Sequence, residues 1–204
     1  IHLIILDSEG FHDNPKILLE YVENHTINNV YLNNQFGADE EQRDKRVEEH
    51  LKANRINVHK FNEKVVFAPG SILTGDGRPY SVFTPFKRRW IENFNLDLLD
   101  IEFSYTQKKP PSINSNVSEF NFNFSKSHNV DMSLWPAGES EALLRLNTYL
   151  DKEIFKYAQD RNDPIIDGTS RLSAYLASGI ISPKRCILEA LKINNFQLDS
   201  GEKG

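Results

Sequence analysis

Along the first hundred residues the apolar positions follow two periods in turn. Short β-branched or aliphatic runs at residues 1–6, 29–33 and 57–61 predict strands, whereas residues 15–25 and 39–53 carry apolar side chains at helical spacing. In the second of these helices Val47, Leu51 and Ile56 supply a sparse stripe, and Asp39 with Gln42 three residues on has the spacing of an N-cap and its capping-box partner. The order β-α-β-α-β predicts an α/β unit with a mainly parallel sheet, and the right-handed crossover rule makes it a Rossmann-like layer structure. The opening run Ile1 to Leu6 is too short to span a bilayer and lacks the basic region and small-residue cleavage site of a leader. It reads as a buried strand. The only methionine is Met132, so the sequence is expected to be part of a longer chain whose first strands lie upstream of Ile1.

The pattern then changes twice. Between Phe67 and Tyr80 Gly and Pro punctuate a loop or hairpin, and Thr84-Pro85 reads as a helix start, with a capping hydroxyl followed by a proline that gives up no needed hydrogen bond. The helix expected from Pro85 to about Phe94 carries Lys87, Arg88 and Arg89, read as a solvated basic face. Residues 101–134 are rich in Asn, Ser and Phe, contain Pro110-Pro111 and hold no sustained period, which predicts a connector, with Phe120, Phe122 and Phe124 alternating along an extended piece. Beyond it the period is helical: Leu143, Leu144, Leu146, Tyr149, Leu150 and Ile154 recur up to about Ala158, and Ser182-Pro183 opens another helix through Leu191. The expected organisation is an α/β domain over 1–100, a connector over 101–134 and a helical domain from 135 to 204, truncated at both ends.

Composition narrows the chemistry. A net charge of −5 argues against a protein that coats nucleic acid or membrane by bulk charge. One cysteine, Cys186, permits no intrachain disulfide and no all-cysteine metal cage, so a reducing, cytoplasmic setting is expected. His2, His12, His25, His50, His59 and His128 have no metal-ligand spacing, and neither a GxGxxG nor a GxxxxGKS loop occurs. The sequence therefore points to no metal, no membrane and no nucleotide hydrolysis.

The most informative stretch runs from Asp163 to Pro183. Gly168 allows a sharp turn, after which Thr169, Ser170 and Ser173 gather three hydroxyls at a helix start beside the Arg171 guanidinium. Amides at a helix N-terminus, hydroxyls and an Arg together suit a phosphate or pyrophosphate. An ordinary cap with a surface Arg would use the same residues. A second mechanical reading is a helix-turn-helix, with Leu172 to Ala177 as its first helix, a Ser178-Gly179 turn and Lys184, Arg185 and Lys192 on a DNA-facing helix.

Five dispersed segments resemble the photolyase/cryptochrome family, specifically the class I cyclobutane pyrimidine dimer photolyases. They are Asn33-Asn34-Gln35-Phe36 with Glu40 and Arg43-Asp44; Pro69-Gly70-Ser71 with Thr74-Gly75; Tyr80 to Phe86; Trp135-Pro136-Ala137-Gly138-Glu139; and Asp167 to Ser173. Their order and spacing follow the family along nearly the whole sequence, and Asp-Gly-Thr-Ser-Arg-Leu-Ser favours a photolyase over plant or animal cryptochromes.

The resemblance implies an α/β antenna domain, a long connector and the beginning of an all-helical domain that binds FAD. It implies that Thr169, Ser170, Arg171, Leu172 and Ser173 embrace the flavin pyrophosphate and ribityl region. Tyr157, twelve residues before Thr169, matches a family tyrosine that contacts the FAD phosphate. Asp39-Glu40 stands where many folate-using members have Asn-Glu reaching the pterin. The Asn-to-Asp change replaces an amide donor with an anion, so a methenyltetrahydrofolate antenna is in question while Glu40 keeps its acceptors. Arg161 matches a position that meets the DNA backbone. The implied activity of the full-length parent is light-driven repair of pyrimidine dimers in damaged DNA, through an electron from reduced FAD to a dimer flipped out of the duplex. No side chain of this piece is expected to be catalytic. The parent is expected to be monomeric, and the piece alone to bind FAD weakly and be inactive. The alternative is a cryptochrome-type blue-light receptor.

Overall fold

The structure is a computed structural model that describes residues 3–99 and 131–198. The described residues fall into two compact units, one of residues 3–61 and one of residues 62–99 with 131–198. The expected connector, residues 101–134, lies outside the described residues except for 131–134.

The first unit contains α1 (Asn14–Asn24), β1 (Asn29–Asn33), α2 (Ala38–Ala53) and β2 (Asn57–Phe61). β1 and β2 pair in parallel, from Asn29 opposite Asn57 to Asn33 opposite Phe61. Because side chains alternate along a strand, Val30 and Val58 turn to one face. There they meet Val22, Val47, Leu51 and Ile56 from the helices and the turn before β2, a cluster in which Leu51 is fully buried. The other face carries aromatics: Tyr31 stacks on His59 at 4.5 Å between centroids and lies 6.3 Å from Phe61. Tyr31 remains 66% exposed.

Two local expectations differ from the structure. Residues 3–6 form no strand, and Leu3 is 60% exposed. An apolar run fixes an affinity for burial, and strand geometry requires a regular ladder of hydrogen bonds besides. The cap of α2 is Gly37, in extended conformation, with Asp39 already inside the first turn. Glu40, the third helical residue, folds its carboxylate back over Gly37, where a Cβ would collide with it. Glu40 thus stands at the third helical position, which the sequence reading gave to Gln42, but a glycine cap has no side chain to complete a capping box.

The second unit is helical: α3 (Phe83–Asn93), α4 (Glu139–Lys152), α5 (Tyr157–Asp160), α6 (Ser173–Ala177) and α7 (Pro183–Ile193), with 3-10 turns at Leu96–Leu99, Met132–Leu134 and Ile154–Lys156. α3 begins one residue before Thr84 and is capped by Val82 without a side-chain bond, so the Thr84 hydroxyl does not cap it. Trp90 packs edge-on to Phe67 and stacks with Phe94. The helix expected to reach Ala158 ends at Lys152, and the chain continues through a 3-10 turn into the short α5. α7 starts as the sequence predicts, with the Ser182 hydroxyl accepting from the Lys184 amide at 3.2 Å. Ala142, Leu146 and Leu150 descend α4 at i+4 spacing into a core completed by Leu172, Tyr175 and Ile181. No helix among the described residues is long and apolar enough to cross a membrane.

Candidate functional site

One position away from its core stripe, α4 carries a second stripe, Glu141, Arg145 and Tyr149, at the same i+4 spacing. This stripe, with Leu144 and Thr148, forms one wall of a cleft of about 290 Å3. The facing wall is the loop Asp167, Thr169, Ser170 and Arg171, and Ser133, Pro136 and Tyr175 close the end.

The loop is held from both sides. Gly168 is buried against α5, and a Cβ there would collide with the Asp160 side chain and come within 3.5 Å of the Asp160 backbone. Leu172, only 4% exposed, anchors the other end in the core. Between these anchors Arg171 takes a left-handed backbone, φ 49°, and its Nε meets Asp167 Oδ1 at 2.7 Å. The Thr169 and Ser170 hydroxyls have no hydrogen-bond partner among the described residues. Two guanidinium groups and these hydroxyls face three carboxylates, Glu141, Glu153 and Asp167. The Tyr149 hydroxyl is held above its usual pKa of 10.0, first by burial and then by Tyr157 and Glu153, so it stays a neutral donor.

The structure thus brings Thr169, Ser170 and Arg171 together on one cleft. Leu172 is near them in sequence, but its side chain is spent on the core, leaving only backbone to a ligand. Ser173 is exposed at the first position of α6, a helix of five residues without a side-chain cap. So short a helix carries little of the dipole that the sequence pattern suggested, and the anion-binding capacity rests on side chains instead. Tyr157 stands behind the wall, edge-on to Tyr149 at 6.4 Å, with the exposed Arg161 guanidinium 5.6 Å over its ring. Arg145 and Tyr149 escape a reading for apolar period, which counts Tyr149 as core and passes over Arg145. The signal that finds them is the second i+4 stripe.

The helix-turn-helix geometry is weak. α6 is barely more than one turn, and on α7 the Arg185 Nε meets Glu189 Oε1 at 2.6 Å while Lys192 meets Glu189 Oε2 at 3.1 Å. One carboxylate thereby occupies two of the three basic residues that would read DNA. Burial raises the Cys186 thiol above its ordinary value. Among the described residues no group of three His, Cys, Asp or Glu is placed to hold a metal ion.

In the first unit Asp39 and Glu40 occupy the first turn of α2, Asp39 exposed and Glu40 half-buried. One turn on, Arg43 and Asp44 line a cleft of about 340 Å3 with Asn33 and Gln35, outside the carboxyl end of β1. Both Nε and Nη2 of Arg43 donate to Asp44 Oδ1, at 2.9 and 2.6 Å, and the guanidinium lies 4.9 Å over the Phe11 ring.

Part of each cleft comes from the segments that carry the resemblance: Pro136 with Asp167 and Thr169 to Arg171 in one, and Asn33, Gln35, Arg43 and Asp44 in the other. The DNA photolyase family model matches residues 1–111. The chain belongs to the DNA photolyase family. This photolyase-family chain is 28% identical over 201 residues to a deoxyribodipyrimidine photo-lyase of Salmonella typhimurium, covering 98% of the chain and 42% of that relative. A deoxyribodipyrimidine photo-lyase of Alkalihalophilus pseudofirmus is 31% identical over 179 residues, with 85% and 36% covered. The crystal structure of a class III photolyase from Agrobacterium tumefaciens superimposes with a TM-score of 0.73 at 25% identity, covering 92% of this chain and 39% of that one. A cryptochrome of Synechocystis shares the fold, with a TM-score of 0.59 at 14% identity over 91% of this chain and 40% of its own. The photolyase-family chain therefore spans about two-fifths of the length of the relatives it matches, and its α/β unit with a parallel sheet belongs to the antenna-domain fold.

Proposed function

We propose that the chain serves in light-driven repair of pyrimidine dimers in DNA, within a protein of its relatives' length, and that the cleft between α4 and the 167–171 loop takes the phosphate-bearing part of FAD. The observation that carries this reading is the meeting of Thr169, Ser170 and Arg171 on one wall with Arg145 and Tyr149 opposite. The donor set fits: two hydroxyls without partners, a neutral phenol and two guanidinium groups match the acceptor-rich oxygens of a pyrophosphate and a ribityl chain. The volume fits a part of the dinucleotide, standing at the low end of ligand clefts of about 300–1,000 Å3.

Arg171 keeps guanidinium donors beyond the one engaged by Asp167, and Asp167 fixes the plane of that group. Thr169 and Ser170 would donate to phosphate oxygen, and the Leu172 and Ser173 backbone would complete the turn around it. Tyr157 acts through Tyr149, bracing its ring. Arg161, exposed beside Tyr157, would meet a DNA phosphate. The flavin, when bound, supplies the light-driven electron that splits the dimer. In the antenna unit, Asp39 and Glu40 lie one helical turn from the Arg43-Asp44 cleft and would border a light-harvesting pigment, with Glu40 as an acceptor and Asp39 an anion where a folate would meet an amide.

Arg171→Ala in the protein at its relatives' length should weaken FAD at least about tenfold, the equivalent of one charge-assisted hydrogen bond of about 1.5–3 kcal/mol. Unchanged affinity would remove the phosphate role. Blue-light splitting of a thymine dimer in an oligonucleotide separates repair from a receptor function: a protein that binds flavin and leaves the dimer intact would be a receptor.

A further inference from the structure

The end of the cleft is tied down by two side chains from two different helices. From α4, Arg145 Nη2 donates to the Leu134 carbonyl at 2.7 Å. From α6, the hydroxyl of Tyr175, a residue only 2% exposed, donates to the Pro136 carbonyl at 2.8 Å. The two carbonyls flank Trp135, which is itself 37% exposed. The Arg145 guanidinium also lies 6.0 Å over the Tyr175 ring, so the two donors support each other. Trp135 and Pro136 follow the 3-10 turn Met132–Leu134, in which the Ser133 amide and hydroxyl donate to the Asp131 carboxylate and the Leu134 amide to the Asp131 carbonyl. Without these two side-chain donors to the Leu134 and Pro136 carbonyls, this wall would be free to swing away from Thr169 and Ser170.

We infer that Arg145 and Tyr175 are a positioning pair that fixes the Ser133–Pro136 wall of the cleft, with Trp135 as the strut between their two hydrogen bonds. The inference rests on the flavin reading of the cleft. It assigns Tyr175 a purpose beyond core filling: a phenylalanine would fill the same space, whereas the hydroxyl is needed only for the Pro136 carbonyl.

The variants are Tyr175→Phe, Arg145→Met, and Arg145→Lys as the conservative control. In the 204-residue chain labelled with 5-fluorotryptophan, the fluorine resonance of Trp135, assigned by loss of the Trp90 signal in Trp90→Phe, should shift and broaden in Tyr175→Phe and Arg145→Met and recover in Arg145→Lys. In the protein at its relatives' length, FAD affinity should fall about five- to tenfold in the first two variants, the loss of one hydrogen bond, and recover in the third. Thermal midpoints keep folding visible, because a merely structural role would lower stability without moving the Trp135 resonance ahead of unfolding. An unmoved Trp135 resonance overturns the pair. So does a moved resonance with unchanged FAD affinity in the clamp variants while Arg171→Ala still loses it, since the wall would then be fixed for something other than the flavin. Loss in the clamp variants with Arg171→Ala unaffected supports the pair and refutes the Thr169–Arg171 reading, so the two claims fail separately.

Discussion

Gly168 sets how closely the 167–171 loop approaches α5. Its missing side chain leaves no gap to fill: the Asp160 side chain and backbone already occupy the place of a Cβ. Gly168→Ala should therefore push Thr169 and Ser170 off the cleft wall and lower stability by about 1–3 kcal/mol, the usual range for overpacking. Urea unfolding reads the stability, and flavin affinity reads the displacement. At this scale the sequence was informative about chemistry and less so about placement. Thr169, Ser170 and Arg171 stand out in the sequence as hydroxyls and a guanidinium after a glycine, a set that an ordinary helix cap would also use, and the structure brings them onto one cleft. Arg145, Tyr149 and Tyr175 do not stand out, because an arginine or tyrosine within a leucine-rich period looks like the polar or aromatic edge of a core. Only the fold shows which of them turns toward the loop.

Among the elements, α2 and β2 are joined by charge as well as by packing. Lys52 and Lys60 donate to the two carboxylate oxygens of Glu48 at 2.6 and 2.9 Å. These bonds hold the Glu48 carboxyl below its ordinary pKa, burial opposing them. A carboxylate depressed in the folded state stabilises above its unfolded pKa of about 4.3 and loses that stabilisation as pH falls through the lower folded value. Glu48→Gln should thus cost on the order of 1 kcal/mol or less near neutral pH, since Lys52 is largely exposed, and should flatten the acid limb of the unfolding curve. Urea midpoints at pH 7, 5 and 3 check it; a difference that persists undiminished at pH 3 contradicts the ion-pair account. Element identity was largely legible: α1, β1, α2, β2 and α7 follow from period and caps. Residues 3–6 did not make a strand because an apolar run does not by itself set the regular hydrogen-bond pattern of a ladder. Helix caps fell two residues early, at Gly37 and Val82, because extended backbone at those positions started the helices without the side-chain cap that Asp39 and Thr84 offered.

Across the whole molecule, the two units have separate apolar clusters with no residue in common. Leu51→Ala should destabilise residues 14–61 by about 2–5 kcal/mol, and Leu146→Ala should do the same for residues 139–193, each leaving amide exchange in the other unit nearly unchanged. Equal deprotection of both units by either substitution would mean that they unfold as one. The Rossmann-like unit also has a consequence for handling the polypeptide. Parallel sheets are ordinarily sheltered on both faces, yet the side bearing Tyr31, His59 and Phe61 meets solvent, with Phe61 48% exposed. Such an aromatic surface is a sticky one, so light scattering from concentrated samples should rise with concentration, and Tyr31→Lys should suppress the rise. Colloidal behaviour would then be governed by three rings on a sheet, and not by the cleft between α4 and the 167–171 loop.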